Sequence, residues 1–242
     1  MTTLRTIGLW LLFVAGILAA LIISIYIFFR SLYRARRAFH AYGSVCTAQI
    51  TALDETVGPR LAGTARVRFS SSTAAENSPD ASIIGLAIKI EDQQDIVVAT
   101  FESFMKVNEA TKNTDITDYM LNQYGSVTPW RVPTLGPIWF RAIPAPASNT
   151  PKTGSRTERL EADIAAGRAT FVIEARTGPS PDDAVIKPLA ELRLLERLPD
   201  DDRNFKISMF NTGRGIKPTG FRNGVRVLVY PVSQLARRLR GG

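Results

Sequence analysis

The sequence predicts an α+β protein, a mostly antiparallel sheet or barrel with peripheral helices, preceded by one N-terminal transmembrane helix. Three observations predict it: a charge-free apolar run near the N-terminus, a series of short segments alternating apolar and polar residues, and few helix-capping signals. The 45% hydrophobic and 21% charged residues are proportions of a folded globular chain, and 242 residues suffice for one domain and an anchor. The reading is a short tail over 1–6, a membrane helix over 7–29 and a soluble domain over 30–242.

Residues 7–29 read IGLWLLFVAGILAALIISIYIFF, 23 residues without a charge, where about 20 cross the hydrocarbon core. A secretory signal has a shorter apolar stretch, roughly 7–15 residues, closed by small residues. This run ends instead in Phe28, Phe29 and Arg30. Arg5 precedes it, whereas Arg30, Arg34, Arg36 and Arg37 follow, so the positive-inside rule places the soluble domain in the cytoplasm of a single-pass cell-membrane protein. Trp10 and Tyr26 suit the two interfacial belts.

Strand character recurs over Val45–Leu53, Thr64–Ser70, Ile83–Ile90, Asp95–Phe104, Ala169–Ala175 and Leu189–Leu195. The alternation in Arg66-Val67-Arg68-Phe69 and Glu191-Leu192-Arg193-Leu194 is that of half-buried antiparallel strands. Ser155-Arg-Thr-Glu158 is a capping box opening a short helix that Gly167 closes, and Thr114–Tyr124 is a second helix candidate. Prolines 129, 133, 137, 144, 146 and 151 mark a long irregular connection between two groups of strands.

The net charge is +8, with arginines crowded beside the apolar run and at Arg237, Arg238 and Arg240. That placement suits an anionic lipid leaflet, and no nucleic-acid motif accompanies it, so nucleic acid is not an expected partner. Cys46 and His40 are the only cysteine and histidine, which excludes an intramolecular disulfide and a zinc cluster. Arg214-Gly-Ile-Lys-Pro makes no phosphate-binding fingerprint, and Asp200-Asp-Asp202 reads as a solvated turn.

Four stretches stand out together: Arg37-Ala-Phe-His40-Ala-Tyr-Gly43; Ala65-Arg-Val-Arg68-Phe69-Ser70; Ile84 to Lys89 with Asp95-Ile-Val-Val-Ala-Thr100; and Gly224-Val-Arg226-Val-Leu-Val-Tyr230-Pro-Val-Ser233-Gln234-Leu-Ala-Arg237. In this order they resemble the haem-catalase superfamily, from about Arg37 to Arg237. The resemblance implies a catalase-like antiparallel β-barrel with peripheral helices and a b-type haem. It places His40 on the distal catalytic histidine, and Arg37, Arg68 and Arg237 on the arginines that hold haem propionates. Tyr230 falls on the tyrosinate that ligates iron, and Arg226 on the arginine that bonds it. A guanidinium four residues away favours the deprotonated phenol on a helix or a strand alike. Propensity over Val225–Tyr230 favours a strand, whereas the family has a helix there.

The chain departs from the family where an Asn-Asn dipeptide is replaced by Ala99-Thr100 and where it ends directly after the proximal segment. Thr100 keeps a hydroxyl and loses the amide, so weak or no catalase activity is expected. The implied function is that of a membrane-anchored haem protein, a peroxidase acting on organic or lipid hydroperoxides with His40 and Thr100 at the catalytic position. The alternative is a non-enzymatic catalase-fold scaffold or accessory subunit of a membrane protein complex. Haem storage or sensing shares the haem contacts without turnover.

Overall fold

The computed structural model describes residues 2–34, 39–72, 78, 80, 82–101, 106–144, 153–180, 182–199 and 204–240. It opens with one continuous helix, α1 (Thr2–Arg34), whose Leu4–Tyr33 portion is long and apolar enough to cross a membrane. The strands are β1 (Gly43–Ala52), β2 (Gly63–Ser71), β3 (Ile84–Ile90), β4 (Gln94–Ala99), β5 (Tyr124–Gly125), β6 (Trp130–Val132), β7 (Gly136–Pro144), β8 (Thr170–Arg176), β9 (Val185–Leu198) and β10 (Lys217–Pro218). Helices α2 (Gly58–Leu61), α3 (Val107–Asn113), α4 (Arg156–Ala165) and α5 (Gly220–Leu239) lie between and after them.

Neighbouring strands pair antiparallel in the order β1-β2-β3-β4-β5-β7-β8-β9, and β9 pairs back with β1, which closes an eight-stranded barrel. β6 and β10 extend from β7 as a short flap. Closure removes the exposed edges that an open sheet would carry. The interior is aromatic: Phe69 stacks on Tyr119 with centroids 4.8 Å apart and meets Tyr124 at 5.8 Å and Phe171 at 6.0 Å. The Tyr124 hydroxyl donates to the Tyr119 carbonyl at 2.7 Å, so its one polar atom is satisfied where it is buried.

All six predicted segments form strands, with β9 longer than its predicted range and β4 ending at Ala99; residues 102–105 of the Asp95–Phe104 segment lie outside the described residues. The capping box forms as read: Glu158 N donates to Ser155 Oγ at 3.3 Å, Ser155 N donates to the Glu158 carboxylate at 2.7 Å, and Gly167 follows the helix at φ +69°. Two expectations are corrected. Thr114–Tyr124 is not a helix, because Asp118 accepts from Met120 N at 2.8 Å and Asn122 donates to the Asp115 and Asp118 carbonyls at 2.7 Å. Those side-chain bonds hold a 3₁₀ turn, Tyr119–Leu121, followed by β5. The proline-rich connection contains β6 and β7, whose prolines sit near strand ends, as at Pro137 opposite Arg131 and Pro144 opposite Phe171. The Val225–Tyr230 run, where propensity and the family resemblance pointed different ways, is helical, and α5 packs along α1.

α1 and α5 run parallel and touch backbone to backbone. A Cβ on Gly16 would sit 2.0 Å from the Phe221 carbonyl oxygen, and one on Gly224 would sit 2.0 Å from the Phe13 carbonyl oxygen. Ser31 and Ser233 share a hydrogen bond of 2.8 Å further along the pair. Only glycine allows so close a crossing.

Candidate functional site

Strand register builds the floor of the site. Phe69 faces the interior, so its neighbours Arg68 and Ser70 point outward from β2. Ser70 lies opposite Gly85, which lies opposite Ala99, and Arg68, Ala87 and Val97 form the adjacent row. The outer barrel face at this point is therefore nearly flat, made of Gly, Ala and Val. α5 lies across it, and its periodicity aims Arg222, Arg226, Tyr230, Ser233 and Arg237 at the floor from one helical face. Between them is a cavity of about 550 Å³, within the roughly 300–1,000 Å³ of small-molecule sites. Ile23 and Ile27 of α1 complete its wall.

His40 stands at the edge of this cavity in a left-handed conformation, φ 54°. Both of its backbone groups are tied: its N–H donates to the Ser72 carbonyl at 3.0 Å and its carbonyl accepts from Arg68 at 2.9 Å. Such strain persists where surrounding bonds over-determine it, commonly at functional sites. The ring fits because position 85 is glycine; a Cβ there would lie 2.9 Å from His40 Cε1. Gly43 similarly leaves room for the Arg68 guanidinium, whose Cζ would be 2.8 Å from an added Cβ.

Nδ1 of His40 lies 3.1 Å from the Ser70 carbonyl and 3.0 Å from Ser70 Oγ. A carbonyl only accepts, so Nδ1 carries the proton and Nε2 presents its lone pair. The imidazole pKa is lowered to about 3, first by burial and then by the charge of Arg68, with Arg222 and Arg226 adding to it. The ring is thus a neutral base in a positive field. Its folded pKa is below the ordinary 6.5, so the unfolded chain binds the extra proton between those values. Stability due to neutral His40 is complete above pH 6.5 and is lost as pH falls toward 3, at no more than about 1.4 kcal/mol per pH unit. In urea titrations between pH 6.5 and pH 4, His40→Gln is expected to show a shallower loss of stability than the natural chain. Equal slopes would place the imidazole in solvent.

Arg226 donates to Asn223 Oδ1 at 2.8 Å, and Asn223 is itself fixed by a bond to the Thr219 carbonyl at 3.1 Å. Arg226 and Tyr230 share the cavity one turn apart, but this guanidinium bonds the Asn223 amide rather than the phenol. Arg237 Nε donates to the Ser233 carbonyl at 3.3 Å. Arg222 lies over the Phe101 ring at 4.2 Å, and burial together with Arg226 pushes its pKa down.

His40, Arg68, Arg226, Tyr230 and Arg237 are thus brought together. Thr100 is not among them: its hydroxyl meets Thr114 Oγ1 at 2.7 Å and accepts from Ile84 N at 3.1 Å, in a separate polar hollow. Ala99 takes the cavity position instead. Arg37 lies outside the described residues. Sequence reading missed Ser70, signalled by its place two residues after Arg68 on one strand face, and Arg222, signalled by its place one turn before Arg226.

Fold comparison decides the architecture. The structure superposes on a fungal catalase with a TM-score of 0.58 at 12% identity, covering 84% of this chain and 59% of that one. The fold is catalase-like. A bacterial catalase gives 0.55 at 14% identity, and catalase A from Saccharomyces cerevisiae 0.56 at 10%, each over 84% of this chain. The chain spans 57–61% of the length of these catalases. No family model matches the sequence, and no curated protein matches it.

The catalase-like cavity has the chemistry a haem needs. Its floor and walls are mainly apolar, a phenol projects into it, and Arg68, Lys206, Arg222, Arg226 and Arg237 surround it. No Asp or Glu is among the described residues that line it. Such a slot suits a flat apolar body carrying carboxylates. The residues present fit the group: Tyr230 is the candidate iron ligand, and the arginines are the candidate carboxylate partners.

Proposed function

We propose that this chain is a membrane-attached haem-binding protein that acts on organic hydroperoxides. The observation that carries the reading is the convergence of a neutral histidine base, a phenol and four arginines on one apolar cavity of a catalase-like fold. The haem, when bound, supplies the iron-based redox chemistry. Every other contribution comes from the chain.

Tyr230 would hold the cofactor from α5, with the positive charges of Arg226 and Arg222 beside it. Arg68 and Arg237 pair with carboxylates at the cavity margin. Ser70 fixes the His40 tautomer, so Nε2 takes the proton from the peroxide oxygen and returns it to the departing oxygen. With Ala99 on the floor and Thr100 turned away, His40 lacks the amide partner found in catalases. The apolar wall favours a substrate with an alkyl body over hydrogen peroxide.

An absorption spectrum of protein purified in detergent from haem-supplemented cells tests this reading. A Soret band is expected, lost or shifted in Tyr230→Phe, and His40→Ala is expected to keep the band and lose peroxide turnover. A protein that is folded and colourless would overturn the proposal and favour a scaffold role for the catalase-like fold.

A further inference from the structure

We propose that α1 lies in the plane of the membrane surface, docked lengthwise on the catalase-like domain, and does not cross the bilayer. Contact with the domain runs nearly the whole length of the helix. Arg5 stacks on Trp139 at 5.5 Å near one end, Gly16 and Gly224 cross at the middle, and Ser31 bonds Ser233 at 2.8 Å near the other. Beyond that, Arg240 donates to the Leu32 carbonyl at 3.4 Å. Ile27 between these points is 2% exposed and forms part of the cavity wall.

A helix docked in this way carries the domain to whatever depth it occupies itself. The barrel bears exposed Asp92, Arg193 and Glu196, and a charge at the bilayer centre costs about 2.5–3.5 kcal/mol or more. The docked helix therefore sits at the interface. Its hydrophobicity on all sides then has two sources: one face meets α5 and the cavity, and the other meets lipid.

The outward face exposes Leu11, Leu18, Leu21, Ile22, Ile25 and Phe29 over more than one flank, which a single protein contact would not cover. Charge identifies the occupant. No Asp or Glu occurs before Asp54, while Arg5, Arg30, Arg34, Arg36 and Arg37 all do. Exposed Arg240 at the end of α5 adds to the same end of the pair. An apolar face flanked by arginines alone matches an anionic lipid surface.

The test uses the full chain, with a cleavable tag at each terminus, in right-side-out and inverted membrane vesicles. Both tags are expected to be removed in the same vesicle preparation and protected in the other. In the same membranes, Ser31→Cys with Ser233→Cys is expected to form a disulfide, leaving only Cys46 to react with a maleimide after denaturation until reductant is added. Tags on opposite faces would overturn the proposal, as would recovery as a soluble dimer or failure of the cysteine pair to link. None of these readouts involves haem, so a colourless protein would leave this result standing and a spanning helix would leave the haem reading standing.

Discussion

Phe69→Ala is expected to lower the unfolding free energy by about 3–5 kcal/mol, the usual cost of emptying a buried aromatic site. Phe69 is fully buried and touches Tyr119, Tyr124 and Phe171, which come from a turn, β5 and β8. Its removal therefore leaves a hole bounded by several different elements, and barrel closure resists collapse into it. Domain stabilities are about 5–15 kcal/mol in total, so much of the margin would go. The site would change with it, since Phe69 anchors the strand position that aims Arg68 and Ser70 at His40. A urea midpoint lowered with an unchanged slope is the expected result. Arg68→Ala on the same strand removes a cavity charge and no interior ring, so it is expected to affect ligand retention more than stability. A loss of less than about 1 kcal/mol in Phe69→Ala would mean that the aromatic cluster is not the core of the barrel.

The barrel was legible because its signal is local. Alternation in β2 and β9 is written residue by residue, and the Ser155 capping box carries both partners within four positions. The site was legible in part, through residues spaced along single elements: Arg226, Tyr230 and Arg237 share one face of α5 whichever way the helix packs. What failed depended on competition or on distance. The Asp118 and Asn122 side chains bond the nearby backbone and displace the predicted helix, although the surrounding composition is helical enough. Thr100 follows a strand position that does face the cavity, and a one-residue step turns it to Thr114. Ser70 gains its meaning from His40, 30 residues earlier, and Gly85 from the same ring. The α1 to α5 crossing joins positions about 200 apart, and neither glycine announces it alone.

Gly224→Leu is expected to separate α1 from α5 and abolish binding of the proposed haem, whereas Gly8→Leu is expected to change neither. A Cβ at position 224 would lie 2.0 Å from the Phe13 carbonyl oxygen and 2.9 Å from the Phe13 carbonyl carbon, both backbone atoms that no rotamer change can move. A Cβ at Gly8 meets nothing within 4 Å, although both glycines belong to the same helix pair. Overpacking of this kind costs about 1–3 kcal/mol, and more when backbones must part. The functional cost follows from geometry: moving α1 withdraws Ile27 from the cavity wall, and moving α5 displaces Arg226 and Tyr230 together. The measurements are the thermal midpoint in detergent and the absorbance retained after gel filtration. Gly16→Leu should reproduce the effect, since its Cβ would meet the Phe221 carbonyl, and the double variant should fall short of the sum because either change alone already parts the helices. If Gly8→Leu and Gly224→Leu behave alike, α1 serves as a tether and the cavity is closed by some other element. If they differ as expected, the apolar N-terminal helix is part of the ligand site.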